Sequence, residues 1–125
     1  MAEHYDIAVV GGGMVGASVA LAAAQQGFRV LLLERSMPPA DWPADSYDLR
    51  VSALTRASQV ILQNVGAWDG MAARRVTAYE AMRVWDQQGI GEIHFSAADV
   101  GEPDLGHIVE NRVIVASLWE LIEQQ

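Results

Sequence analysis

Charge vanishes from residues 7–24 and returns only with Arg29, Glu34 and Arg35. A run of that length is a candidate membrane span on hydropathy alone. Gly11, Gly12 and Gly13 interrupt it, and each glycine costs a helix roughly 1 kcal/mol relative to alanine. The flank is acidic, with Glu3 and Asp6, where a secretory leader would begin with positive charge. The pattern divides more naturally at the glycines. Residues 5–10 are short, apolar and rich in β-branched side chains, as a buried parallel strand is. Residues 14–26 carry an apolar stripe through Val15, Val19, Ala22 and Ala23 at helical spacing, and Gly27 ends the helix. Residues 28–33 form a second apolar strand. Strand, glycine turn, helix, strand is a βαβ unit.

Beyond it the pattern changes character. Residues 36–47 hold three of the four prolines and predict an exposed loop. Residues 48–68 predict a helix capped by Ser52 or Thr55, with a stripe of Leu54, Ala57, Ile61, Leu62 and Val65, closed by Gly66. Residues 80–86 and 92–96 predict two strands joined by the glycine-rich "QQGIG". An acidic loop over 97–106, a strand over 107–110 and an amphipathic helix over 112–123 complete the chain. Val115, Leu118, Trp119 and Ile122 mark the apolar face of that last helix. Strict strand–helix alternation would continue a simple NAD domain; here a loop, a helix and a hairpin intervene.

The glycines of the βαβ unit also carry chemistry. Gly11, Gly13 and Gly16 spell G-x-G-x-x-G between a strand and a helix. The first glycine serves the tight turn, the second the close approach of a pyrophosphate, and the third the packing of helix on strand. The helix N-terminus then presents free N–H groups and its dipole to phosphate. Glu34 ends the second strand at the distance where an acid accepts hydrogen bonds from a ribose diol. A P-loop is excluded because the chain has eight arginines and no lysine. The motif is a dinucleotide site, and the fold class is α/β.

Composition narrows the partners. At 125 residues the chain is one domain or part of one, and its net charge of −8 argues against nucleic acid as a partner. There is no cysteine, hence no disulfide, thiolate metal site or cysteine nucleophile, which fits a reducing cytoplasm. His4, His94 and His107 have no metal-ligand spacing. No transmembrane segment is expected. The hydrophobic fraction of 51% is at or above that of an ordinary soluble domain, so some apolar surface is available for another domain.

Three stretches, "IAVVGGGMVGASVALAAAQQGFRVLLLER", "DLRVSALTRASQVILQNVGAW" and "LGHIVENRVIVASLW", resemble the flavin-dependent aromatic hydroxylases related to para-hydroxybenzoate hydroxylase. The likeness is greatest to the ubiquinone-biosynthesis branch. It spans nearly the whole chain in the family's order. The resemblance implies a Rossmann-like FAD-binding domain of the glutathione-reductase type, with a β-hairpin belonging to a substrate domain that is mostly absent. Residues 1–76 and 101–125 would form the FAD-binding part, and 77–100 the hairpin. Gly11, Gly13, Met14, Val15 and Gly16 would form the pyrophosphate turn, Glu34 would hold the ribose and Arg35 would lie beside it. Arg50 would run along the flavin, with Val51, Ser52 and Ala53 as backbone neighbours, and Asn111 would lie near the ribityl chain.

Plainer readings stand beside these. Arg50 also reads as a solvated arginine at a helix start, and Asn111 as the cap of the helix that follows it. Trp68, Trp85 and Trp119 read as packing residues, and Trp42 has no assigned place. The implied activity is hydroxylation of a prenylated phenol with FAD, NAD(P)H and O₂. An FAD oxidase or dehydrogenase, and a non-catalytic module, are the alternatives. No residue here is assigned as a catalytic acid or base. The family's later "GDAAH"-like aspartate motif is absent, so the chain looks like the N-terminal piece of a longer enzyme. Self-association, other ubiquinone-biosynthesis proteins as partners, and peripheral docking on the inner membrane all remain open on this reading.

Overall fold

A computed structural model describes residues 2–125. The expected βαβ unit is present. β1 (Ile7–Val10) pairs in parallel with β2 (Val30–Leu33), Ile7 opposite Val30 and Val10 opposite Leu33, and α1 (Met14–Gln25) connects them. Gly27 closes the helix with φ +92°.

The buried face of α1 differs from the expected stripe. Ala17, Ala20 and Leu21 point into the core, while Val15 is 74% and Val19 52% exposed. The helix is apolar nearly all round, so periodicity does not select a face. Contact distance selects it: small alanines let α1 approach its neighbours, and Ala17 is fully buried.

A second correction falls at residues 51–55, which form a strand, β3 (Val51–Thr55), where the sequence predicts helix. Ser52 and Leu54 turn inward while Val51, Ala53 and Thr55 face out, a period of two. The helical spacing of Leu54, Ala57 and Ile61 is coincidental. Helix α2 (Arg56–Asn64) starts only after Thr55, whose hydroxyl accepts the Ser58 N–H at 3.2 Å as a cap. Leu62 and Val65 are buried as expected, and Ile61 is exposed.

Helix α3 (Trp68–Arg74) and strand β4 (Thr77–Tyr79) follow, neither of them anticipated. The hairpin strands β5 (Ala81–Trp85) and β6 (Glu92–Ser96) match expectation and pair only with each other. The acidic loop begins with a short 3₁₀ turn, Ala97–Val100. β7 (Gly106–Glu110) is the central strand of a three-stranded antiparallel sheet, β3-β7-β4, and leads directly into α4 (Asn111–Ile122).

The core lies where α4 packs between α1, α3 and β7. Leu21, Met71, Val109, Val113, Ile114 and Leu118 are its largest fully buried apolar side chains. The proline-rich loop of residues 36–47 has no regular structure, yet it is tied to the body by one carboxylate. Glu110, at the junction of β7 and α4, accepts the Nε of Arg112 at 2.6 Å and the Nε of Arg75 at 2.8 Å. It also accepts the Asp48 N–H at 3.1 Å. Both guanidiniums reach on into the loop: each donates to the Ser46 carbonyl, at 2.7 Å from Arg75 and 2.8 Å from Arg112. Their planes lie over Tyr47 and Trp42, with centroid distances of 4.0 and 4.5 Å. Trp42, unplaced by the sequence, is thus a lid on Arg112.

Burial alone would push the Glu110 carboxyl up. The Asp48 N–H and the two guanidiniums overcome that and hold it below its ordinary value of 4.5. A depressed folded pKa contributes stability that is complete above the ordinary carboxylate value and is lost as pH falls through the folded one. Glu110→Gln should therefore lower the stability at pH 7 by about 2–4 kcal/mol, a buried charge pair discounted for partly exposed arginines. The gap to wild type should shrink as acid protonates Glu110. Urea midpoints of both proteins from pH 7 to pH 3 measure this, and parallel curves would refute the assignment.

Candidate dinucleotide-binding site

The turn between β1 and α1 is built as the fingerprint requires. The Gly11 N–H donates to the Leu33 carbonyl at 2.8 Å, continuing the parallel ladder one residue past β1. Gly11 then turns with φ +99°, a conformation that side chains rarely adopt. Its carbonyl points at α1: a Cβ on Gly16 would sit 1.8 Å from the Gly11 oxygen. No rotamer relieves a clash with backbone, so Gly16 is fixed by packing.

Gly13 is the opposite case. It is exposed, and no atom lies within 4 Å of where its Cβ would be. It occupies the N-cap position of α1 with no side-chain cap, and among the described residues no acceptor faces the N–H groups of Gly13, Met14 and Val15. Unpaired donors on a helix N-terminus beside open space fit an anionic pyrophosphate.

Glu34 lies across this turn. Its Oε2 accepts the Gly12 N–H, and its Oε1 accepts the N–H of Arg35 at 2.9 Å and of Ser36 at 3.4 Å. The Gly12 bond first, then that from Ser36, holds its carboxyl below the ordinary range. The acid is exposed and charged, with lone pairs left for a diol. The Arg35 side chain is exposed beside it.

A second group gathers where β3, β7 and α4 meet. The Ser52 hydroxyl donates to Asn111 Oδ1 at 2.5 Å, and the Asn111 N–H donates to the Arg50 carbonyl at 2.9 Å. The expected capping role of Asn111 is not what the structure has: Glu110 occupies the cap position without a side-chain cap bond, and the Asn111 amide bridges to β3 instead. Arg50 precedes the strand with an exposed side chain, so it is not a helix-start arginine. Val51 and Ala53 are exposed on the outward face of β3.

The two groups share one side of the molecule. Met14 and Val15 at the start of α1, Leu54 of β3 and Ile114 of α4 line a common apolar groove of about 310 Å³. Sequence reasoning missed two contributors. Gly12, the unassigned middle glycine, is buried, and Trp119 of α4 donates its Nε1–H to the Gly12 carbonyl at 2.8 Å. Among the described residues, no cluster of side chains could hold a metal ion, and no helix is long and apolar enough to cross a membrane.

Comparison with known proteins agrees with this geometry. The model of the "FAD dependent oxidoreductase" family matches residues 6–46, the βαβ unit and the loop after it. The chain is 41% identical to the 3-demethoxyubiquinol 3-hydroxylase of Escherichia coli (strain K12) over 119 residues, covering 94% of this chain and 30% of that protein. It is 39% identical to the mitochondrial ubiquinone biosynthesis monooxygenase COQ6 of Xenopus tropicalis over 124 residues, covering 95% of this chain and 26% of that one. The flavin-dependent monooxygenase PieE, solved with FAD and substrate, superposes with a TM-score of 0.68 at 18% identity, over 96% of this chain and 22% of that structure. The class these likenesses define is a Rossmann-like α/β fold whose residues 6–46 match an FAD-dependent oxidoreductase family model. More narrowly, the chain is homologous to the ubiquinone-biosynthesis hydroxylases, and it spans about a third or less of the length of those curated relatives.

Gly13 and Gly16 should separate binding from folding. Gly13→Val projects into open space where phosphate would lie, so the fold should survive while FAD is lost. Gly16→Ala drives a methyl into the Gly11 carbonyl and should lower stability by about 2 kcal/mol or more. Thermal melts with FAD titration check both. A Gly13→Val protein that binds FAD as wild type does would sink the phosphate-turn reading. Glu34→Ala should weaken adenosine binding by about tenfold, the scale of a charged hydrogen bond; unchanged affinity would remove Glu34 from the site.

Proposed function

We propose that this chain is the FAD-binding part of a flavin monooxygenase that hydroxylates the ring of a prenylated phenol or quinol, with NAD(P)H as reductant and O₂ as the oxygen source. The observation that carries this is the Ser52–Asn111 hydrogen bond. It joins the "DLRVSAL" and "VENRV" stretches, which an ordinary FAD oxidase or dehydrogenase does not need, beside the pyrophosphate turn. The curated relatives matched across both stretches are named as hydroxylases or monooxygenases of ubiquinone biosynthesis.

In this reading the N–H groups of Gly13, Met14 and Val15 hold the pyrophosphate, with Gly11 and Gly16 setting the turn. Glu34 takes the ribose diol and Arg35 flanks the adenosine. Arg50 lies along the flavin with its guanidinium free, the backbone of Val51, Ser52 and Ala53 lines the ring, and Asn111 faces the ribityl chain. The bound flavin supplies the redox chemistry and oxygen activation. The residues described here bind and orient it, and none is placed to move a proton on the substrate.

The substrate-facing part is the hairpin of residues 77–100, with β4 as the seam through its ladder to β7. The protein works in the cytoplasm as a longer polypeptide, peripheral to a membrane that holds its prenylated substrate.

The 125-residue chain alone should bind FAD poorly or not at all and catalyse no NAD(P)H-dependent hydroxylation. Joined to the sequence that follows it in its gene, anaerobic reduction by NAD(P)H followed by O₂ and a prenylated phenol should give hydroxylated product. Peroxide without product would favour an oxidase. Stoichiometric FAD and hydroxylation by the isolated chain would overturn the proposed division of labour.

A further inference from the structure

The middle glycine of "GGG" plays no part in the G-x-G-x-x-G pattern, yet the structure crowds it more than either neighbour. A Cβ on Gly12 would lie 2.6 Å from Cζ2 of Trp119 and 3.1 Å from both Cβ and Oε2 of Glu34. Its conformation does not demand glycine, for positive φ falls on Gly11 and not on Gly12. What excludes a side chain is the edge of the indole at Cζ2. Both polar atoms of the peptide are engaged as well: the Gly12 N–H donates to Glu34 Oε2, and the Gly12 carbonyl accepts Trp119 Nε1–H at 2.8 Å. Gly12 is buried between Gly11 and Gly13, which are both exposed.

We propose that Trp119 is a positioning residue for the dinucleotide site, a clamp from α4 that fixes the Gly12 peptide and so aims the free N–H groups of Gly13, Met14 and Val15. The inference rests on the FAD reading above and adds to it a residue that touches no ligand. The physical reason is specific to this turn. With Gly11, Gly12 and Gly13 in succession, the backbone before α1 has the largest conformational freedom of any residue type at three consecutive positions. Left to itself it would lose much of its entropy on binding, which weakens affinity. One hydrogen bond and one ring edge remove that freedom in advance.

Helix α4 is suited to the task because it is rigidly held. Val113, Ile114 and Leu118 are buried at 1% exposure or less, so Trp119 sits on a fixed support one residue beyond Leu118. The same helix carries Asn111 at its other end, bonded to Ser52. A single helix thereby spaces the pyrophosphate turn from the "DLRVSAL" strand.

The test is nuclear magnetic resonance of the 125-residue chain, with ADP as the probe for the adenosine-pyrophosphate half and FAD as the second probe. Titration by chemical shift reads weak binding. Trp119→Phe keeps a ring but loses the N–H donor. It should speed amide exchange at Gly12, the bonded N–H of the turn, and weaken ADP by about five- to tenfold, the scale of one lost hydrogen bond and its ordering. Gly12→Ala presses on the indole from the other side and should do the same. The double variant Gly12→Ala/Trp119→Phe should lose less than the sum of the two, because the clash partner is gone.

If Trp119 only fills space, Trp119→Phe will lower the melting temperature while leaving ADP affinity and exchange at Gly12 unchanged, and the proposal is overturned. If Trp119→Phe does not fold, Gly12→Ala decides, and wild-type ADP binding by folded Gly12→Ala overturns it equally. A wild-type chain that does not bind ADP fails the dinucleotide reading itself, and the proposal falls with it.

Discussion

A Cβ on Gly16 would lie 1.8 Å from the Gly11 carbonyl oxygen, so α1 runs hard against the turn that leaves β1. That contact fixes how α1 leaves β1, and most of the architecture follows. A helix held so near the strand is buried first through small residues, Ala17 and Ala20, with Leu21 filling the core beyond them. α4 then packs on α1 at alanine distance, and its last turns reach the glycine turn itself, where Trp119 meets Gly12. Packing and site are one constraint here: the geometry that buries the core also leaves the helix N-terminus bare and open at Gly13.

Glu110 is the second fixed point, and its position explains why a loop of twelve irregular residues does not simply detach. Arg75 comes from the end of α3 and Arg112 from the first turn of α4, and both meet one carboxylate at the β7–α4 junction. The guanidiniums have donors left over, which they spend on the carbonyls of Ala44 and Ser46. Loop order is thus inherited from the core. Because Asp48 is bonded to the same carboxylate, the segment entering β3 is set as well, and Arg50 is delivered to its place two residues later.

The βαβ unit was legible because glycine has few reasons to recur at that spacing, and each reason is local. The same held for the hairpin, whose alternation and glycine turn are contained in seventeen residues, 80–96. What escaped was decided at long range. β3 looks helical because Leu54, Ala57 and Ile61 happen to fall on a helical face; its partner β7, some fifty residues away, makes it a strand. The face of α1 was misread because the helix is apolar on every side, so only its neighbours choose. Asn111 carried a capping residue's identity at a helix start, yet Ser52 from across the sheet claimed its side chain. The Trp119–Gly12 bond joins residues 107 apart, and no local pattern could announce it.

The apolar surface left over is organised, not scattered. On the hairpin Met82 lies opposite Phe95 and Val84 opposite Ile93, so all four share one face, and all are exposed. On the main body Val15, Val19 and Ile61 line the groove between α1 and α2. A two-stranded parallel sheet with half-covered faces is unusual, since parallel strands are ordinarily buried on both sides, and a two-stranded hairpin alone is marginal in water. The groove reaches the start of α1 at Met14 and Val15, but its lining includes neither Glu34 nor Trp119. Under the proposed function the adenosine end is formed by the glycine turn and Glu34, backed by Trp119, whereas Arg50 and the outward residues Val51 and Ala53 stand exposed. Under the proposed function that asymmetry has a physical consequence. Dinucleotide recognition is built in before any substrate-facing surface is assembled, and chemistry at the ring waits on whatever covers these apolar faces and excludes water from them.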